Sequence, residues 1–346
     1  MKENKDRIVL DVAYQPQVRT NTDTKRIMLD VLIGLLPAVA VSVWQFGFYT
    51  LAVIAISMAS AVFFEWGYRK LMKKTNTIGD LSACVTGLLL ALTLPPTAPL
   101  WMAPRGTLFA IVVVKQLYGG IGKNFLNPAL AGRAFLLASY ALYMGKWMVP
   151  AGMEGIDATT MATPLAWLYD GAEMGDYYNL KTLFIGTIPG CIGEISALAI
   201  LIGGIWLIAR KVISWRIPTA FIGTVALLTL IFGGEGFSNV DWMLYNVLSG
   251  GLMLGAFFMA TDYATSPVTL GGQLLFGAGC GALTVLIRYF GGFPEGVSYA
   301  ILIMNLCSWA IDKAFHRHQF GVSKEDIAAA KAEKKAAKKA AKEAAV

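Results

Sequence analysis

Charge is scarce in this chain. Of 346 residues only 15% are Asp, Glu, Lys or Arg and 56% are hydrophobic, where an average soluble domain carries roughly 25% charged residues. That scarcity excludes an ordinary soluble protein and points to a membrane protein. Histidine is scarcer still. The two present, His316 and His318, flank Arg317 near one end, so no histidine pair is available to hold haem across a bilayer. The four cysteines, Cys84, Cys191, Cys280 and Cys307, are scattered through apolar segments with no Cys-x-x-Cys. They read as packing residues, and any cofactor is expected to be neither haem nor a metal cluster ligated by this chain alone. Nothing resembles a cleaved signal peptide, because the first residues are polar and the first apolar run is long and followed by another. The net charge is +7, but the Lys/Ala-rich stretch at 328–339 has no interleaved aromatics. Nucleic-acid binding is therefore unsupported, and the tail reads as a solvated helix or a tether to lipid headgroups or partner subunits.

What the chain does have is greasy length. Runs sufficient to cross a hydrocarbon core of roughly 30 Å lie at about 27–46, 48–67, 190–209, 217–233 and 297–314. Less uniform runs, broken by Gly, Pro or a charge, lie at about 81–94, 101–118, 126–144, 243–260 and 270–289. The expectation is an all-α polytopic protein of about ten spans. Lys and Arg are concentrated before the first span, between spans two and three (Arg69, Lys70, Lys73, Lys74), between six and seven (Arg210, Lys211, Arg216) and after Lys313. With ten spans these segments share one side, the cytoplasm by the positive-inside rule. The acidic 145–180 loop is then outside, as are 234–241 and 291–296. Five segments follow: a cytoplasmic stretch 1–26, a first five-helix unit 27–144, the external loop 145–180, a second unit 181–318 and the tail 319–346.

The chain also echoes itself. Leu81-Ser82-Ala83-Cys84 leads to Thr93-Leu94-Pro95-Pro96-Thr97, and Leu248-Ser249-Gly250-Gly251 leads to Thr261-Asp262-Tyr263-Ala264-Thr265-Ser266-Pro267, at an offset of about 168 residues. An odd number of spans per half gives inverted repeats. Proline pairs cannot continue a helix, and irregular backbone at membrane depth survives only when buried in protein or lining a wet cavity. Both breaks are therefore expected to face one central site.

Ionisable side chains in apolar sequence are costly unless paired or hydrated. Asp30, four residues after Arg26, is spaced for a helix-face ion pair. Glu194 opens span six, and Asp262 lies in the second break. Lys115, Lys123, Asn124 and Asn127 flank the Gly-rich turn 119–122, where backbone can approach a ligand closely. That turn also reads as a plain interhelical loop.

Several stretches resemble one family. Thr86–Trp101, Gly119–Ala129, Gly193–Ser196, Trp215–Pro218 and Met259–Thr269 are similar to the RnfD/NqrB family over about residues 25–318, with a length closer to its RnfD-type members. The resemblance implies an integral-membrane electron-transfer component of a complex coupling ferredoxin:NAD oxidoreduction to Na⁺ or H⁺ translocation. It further implies partnership with the A, B, C, E and G subunits of such a complex, in the bacterial cytoplasmic (inner) membrane, both termini cytoplasmic. In that family flavin mononucleotide (FMN) is joined through its phosphate to the last threonine of a Ser/Thr-Gly-Ala-Thr pattern. Here Thr160-Met161-Ala162-Thr163 matches, with Met161 in place of the usual glycine. Thr163 is then the attachment residue, Thr160 and Asp157 complete the motif, and whether a further non-covalent flavin such as riboflavin also binds is left open by the sequence. The family's flavin transferase works outside the cytoplasm, the side the charge count assigns to this loop. Glu194 and Asp262 are the groups available for an ion pathway, and Lys115, Lys123, Asn124 and Asn127 for the second cofactor or a subunit contact. An inverted-repeat channel or secondary transporter without redox cofactor is the alternative reading of the same pattern.

Overall fold

The computed structural model describes residues 23–151, 161–169, 178–234, 236–291 and 295–315. Among them there is no β-strand; the chain is helical. Helix α1 (Thr24–Phe46) starts on Asp23, whose carboxylate accepts the Thr24 N–H at 2.7 Å. Gly47, at φ +80°, turns the chain directly into α2 (Phe48–Leu71), a backbone angle that glycine adopts without cost. These two and α13 (Leu270–Phe290) are long and apolar enough to cross a membrane. A fourth candidate span is broken: α11 (Asn239–Leu248) and the helix beginning with α12 (Leu252–Leu254) and ending at Met259 meet at 61°. The multi-pass membrane character expected from composition is present. Large apolar side chains such as Phe48 and Phe290, 82% and 86% exposed, face outward, as a lipid-contacting surface requires.

The other helices are α3 (Ser82–Leu92), α4 (Met102–Leu108), α5 (Pro128–Ser139), α6 (Ala141–Met144), α7 (Pro164–Tyr169), α8 (Leu180–Ile185), α9 (Ala197–Ala209), α10 (Arg216–Phe232) and α14 (Val297–Ala314). Helices α4 and α12 each continue in widened π-helical turns, Phe109–Gln116 and Gly255–Met259. Helix α1 crosses α9 where Gly34 meets Gly203, and a Cβ on Gly203 would strike the Gly34 carbonyl oxygen; small residues permit such close backbone approach between membrane helices. Helix α2 packs on α3 and α4, α10 packs on α11 and α13, and α5 packs on α14.

Two details differ from the hydropathy reading. The apolar run 190–209 is helical only from Ala197, because residues 189–196 form a turn. The turn's Ile192 and Gly193 N–H groups donate to the carbonyls of Leu94 and Leu92 at 2.9 and 2.8 Å, closing the end of α3 that would otherwise leave unpaired acceptors at depth. The run 243–260 is interrupted earlier than its Thr/Pro segment, at Ser249-Gly250-Gly251, with both glycines at positive φ (71° and 69°).

Candidate functional site

Three polar regions stand out, and α1 orders two of them along the molecule. Its N-terminal residues Ile27, Met28 and Val31 line a cleft of about 90 Å³. Its last residue, Phe46, packs with Tyr178, Leu183, Ile188 and Ile195, against which Met161 and Trp167 also lie. At 1.5 Å per residue the two regions are about 27 Å apart along α1.

The cleft is apolar on one wall, with Phe257 and Phe258 from the π-helical turns after α12, and polar on the other. Lys115, Asn124, Asn127 and Asp262 all line it. Each also has work to do in the fold. Lys115 is 3% exposed and donates to Glu65 Oε2 at 2.8 Å and Ser82 Oγ at 2.6 Å. Glu65 accepts in addition from Thr77 Oγ1 at 2.7 Å, with Arg69 Nε 4.0 Å away. Asn127 caps α5 by accepting from Ala129 and Leu130, and its amide donates to the Met259 carbonyl at the end of the π-helical turns. Asn124 donates to Leu126 O. Asp262 accepts from Ala264 N and Thr265 Oγ1, both at 3.3 Å. Lys123 is exposed and is not among the cleft's lining residues. Asp30 pairs with Arg210 of the α9 end at 3.3 Å, an interhelical contact.

The two Thr/Pro breaks do not share one site. Thr261 and Asp262 belong to the cleft, whereas Thr93 lines a smaller void with Arg133, Glu194, Gly250, Gly251 and Glu295. Here the broken span is held between opposite charges. Arg288, 2% exposed, donates to the carbonyls of Asn246 and Ser249 at 2.6 and 3.1 Å at the end of α11. On the other side of the break a side chain at Gly251 would run into the Glu194 carboxylate. A cation at a helix C-terminus and an anion near an N-terminus both complement the helix dipole. Glu194 Oε1 also accepts the Cys191 N–H at 3.0 Å, and Arg133 Nη2 meets Glu295 at 2.6 Å.

Thr163 lies in the third region. It is 5% exposed and its Oγ1 accepts the Ala166 N–H at 3.3 Å, capping α7. The Tyr178 hydroxyl donates to Ala162 O at 3.0 Å, and burial pushes that phenol above the usual range for tyrosine. Among the described residues the buried Trp167 indole N–H has no partner. These features suit a phosphoester at Thr163: its oxygen already serves as an acceptor, a role an ester oxygen retains, and an unused donor lies on the same short helix. Thr160 and Asp157 lie outside the described residues.

Sequence reasoning missed Glu65, Arg133, Arg288 and Glu295. The signal for the first three was available, since each interrupts an apolar run where an ionisable group needs a partner. Glu295 was read only as part of an external loop.

Together these features define a helical, multi-pass membrane protein with a broken span, a cleft with both apolar and polar lining, and buried ion pairs. The chain belongs to the NQR2, RnfD, RnfE family, whose model matches residues 11–321. It is 48% identical over 317 residues to the D subunit of the Na(+)-translocating ferredoxin:NAD(+) oxidoreductase complex of Acetobacterium woodii, covering 91% of this chain and 96% of that one. It is 40% identical over 327 residues to the D subunit of the proton-translocating ferredoxin:NAD(+) oxidoreductase complex of Clostridium ljungdahlii, covering 91% and 97%. The D subunit of the ion-translocating oxidoreductase complex of Escherichia fergusonii is 37% identical over 342 residues, covering 88% and 96%. The family resemblance read from the sequence motifs is borne out.

Proposed function

We propose that the chain is the D subunit of an Rnf-type, ion-translocating ferredoxin:NAD oxidoreductase, working in a bacterial inner membrane with the other subunits of that complex. The observation that carries this is the near end-to-end match, at 48% identity, to a protein named as that component of a Na(+)-translocating complex. The proposed arrangement is ten membrane segments in two inverted five-helix units, with both termini cytoplasmic. It is supported by the matching neighbour pattern in the two halves, α2 on α3 and α4 and α10 on α11 and α13.

In this reading FMN is esterified to Thr163. A flavin supplies one- and two-electron transfer, while the protein sets its position and surroundings. Thr163 gives the anchoring oxygen, the Ala166 N–H steadies that oxygen, and the Trp167 N–H, without a partner among the described residues, can donate to a bound acceptor. The cleft beside Lys115, Asn124, Asn127 and Asp262 is the proposed place for a second, non-covalent flavin such as riboflavin. The Lys115 charge is already neutralised by Glu65, which favours a neutral ring system over a phosphate there. Lys123, being exposed, is assigned to a headgroup or subunit contact.

Mass spectrometry of the purified protein should find one FMN on the peptide containing Thr163, and a denatured gel band should fluoresce. Thr163→Val should abolish both. Flavin retained on Thr163→Val would remove the attachment site, and a wild-type band without flavin would favour the channel-like alternative. Glu194 and Asp262 are proposed members of an ion pathway. Glu194→Gln and Asp262→Asn should lower ion pumping in assembled complex with normal flavin content; undiminished pumping would take them out of it.

A further inference from the structure

An open groove of about 540 Å³ lies along α2. Its lining includes Ala59, Val62, Phe63 and Trp66 of α2, together with Ile78 of the short turn before α3 and Cys84 of α3. Positions 59, 62, 63 and 66 recur at helical spacing and form one stripe, which Lys70, four residues past Trp66, continues. The Lys70 ammonium stands 4.7 Å from the centre of the Trp66 ring. From Ala59 to Lys70 the helix rises about 16 Å, close to one leaflet of a hydrocarbon core of roughly 30 Å. The groove is thus apolar over the depth of a leaflet and ends at a cation. The charge at that end has one sign. Lys70, Lys73 and Lys74 are exposed, and none of them forms an ion pair among the described residues. Arg69 is engaged within the fold, its Nη1 donating to the Thr75 carbonyl at 2.7 Å. The acids nearby in the chain are also occupied: Glu65 is buried against Lys115, and one oxygen of Asp80 accepts from both the N–H and the hydroxyl of Ser82.

We propose that this groove binds one anionic phospholipid, with an acyl chain along the α2 stripe and the phosphate held by Lys70, while Lys73 and Lys74 add to the local positive potential. Lysine clusters at the end of a membrane helix attract anionic headgroups, and a hydrogen bond from ammonium to phosphate is charge-assisted. Trp66 stands beside that cation, at the level between chains and headgroups where indoles are enriched. Charge complementarity selects this occupant. A phospholipid without net charge would fill the apolar stripe and leave three lysines uncompensated. A helix of another subunit would have to close over Phe63 and Trp66, whereas contacts between membrane helices favour small residues. The groove shares no lining residue with the cleft beside Lys115 or the void beside Glu194, so the inference stands apart from the flavin and ion-pathway readings.

The half-buried Cys84 thiol in the groove reports its occupancy. Purified full chain in a non-ionic detergent is titrated with phosphatidylglycerol or phosphatidylcholine and treated with N-ethylmaleimide. Labelling of Cys84 is followed on its own peptide, with the exposed Cys307 as internal control. Phosphatidylglycerol should half-protect Cys84 at about a fivefold lower mole fraction than phosphatidylcholine, the effect of about one lysine facing an anionic lipid, and leave Cys307 unchanged. Lys70→Gln should abolish the preference. Ala59→Trp, which fills the stripe from its exposed side, should abolish protection by both lipids. Native mass spectrometry counts retained lipid independently of the thiol, and the wild type should keep one phosphatidylglycerol that Lys70→Gln loses. Equal protection by the two lipids would reduce the groove to ordinary lipid contact and overturn the site, as would a retained phosphatidylglycerol unaffected by Lys70→Gln. Cross-linking of Cys84 to another subunit in the assembled complex, with its labelling indifferent to lipid, would assign the groove to protein instead.

Discussion

Removing the Lys115 charge is the most direct probe of how this interior tolerates ions. Lys115→Met keeps the aliphatic stem and leaves the Glu65 carboxylate, whose side chain is 1% exposed, without its closest cation. Breaking a buried pair from one side typically costs about 3–5 kcal/mol. The lower end applies, because Thr77 still donates to Glu65 and Arg69 Nε lies 4.0 Å away. With an unfolding entropy of roughly 2.1 cal/mol/K per residue, 346 residues give about 0.7 kcal/mol/K, so 3 kcal/mol lowers the midpoint by about 4 °C. The double variant Lys115→Met, Glu65→Gln removes both charges and should recover more than half of that loss. Differential scanning fluorimetry of the four proteins in one detergent supplies the cycle. A Lys115→Met protein within about 1 °C of wild type, or strictly additive losses in the double variant, would refute the assignment of this pair as a buried, mutually dependent unit. The same variant should retain the flavin proposed for Thr163, since the two regions lie at opposite ends of α1; its loss from folded protein would break that separation.

The orientation predicts that Lys73→Cys is shielded from an impermeant thiol reagent on intact cells while Ala172→Cys is labelled; the opposite pattern would invert the topology. Gly203→Ala should destabilise the chain by about 1–3 kcal/mol, because its Cβ has no room against the Gly34 carbonyl. Gly223→Ala, on α10 with nothing within 4 Å of the new Cβ, should instead be neutral or stabilise by up to about 1 kcal/mol through helix propensity. Similar midpoints for the two would show that the α1/α9 crossing is not glycine-dependent.

Hydropathy located two of the apolar helices closely, because a long apolar helix declares itself residue by residue. The run at 297–314 coincides with α14, and 270–289 falls short of α13 by a single residue. It failed where an apolar stretch takes its hydrogen bonds from elsewhere in the fold. Residues 190–196 are as greasy as a helix, yet their N–H groups serve the carbonyls of Leu92 and Leu94, an exchange invisible to any local window. Gly250 and Gly251 were equally opaque, since glycine is at home both in packed membrane helices and in the left-handed turn they form. Pro95-Pro96 announced its break because proline has no helical alternative. Of the motif at 157–163, the structure describes Met161, Ala162 and Thr163.

The buried charges were legible singly and opaque as pairs. Glu65 and Lys115 are 50 residues apart, Arg133 and Glu295 are 162 apart, and Asp30 and Arg210 are 180 apart. No spacing rule links such positions, and only the packing of α2 on α4, α5 on α14 and α1 on α9 brings them together. Two of these three pairs join the first half of the chain to the second. Either half alone would carry Arg133 or Glu295, and Asp30 or Arg210, into the membrane without a partner, at a cost of several kcal/mol per ion. The seam between the halves is therefore fixed by charge as well as by the Gly34–Gly203 contact.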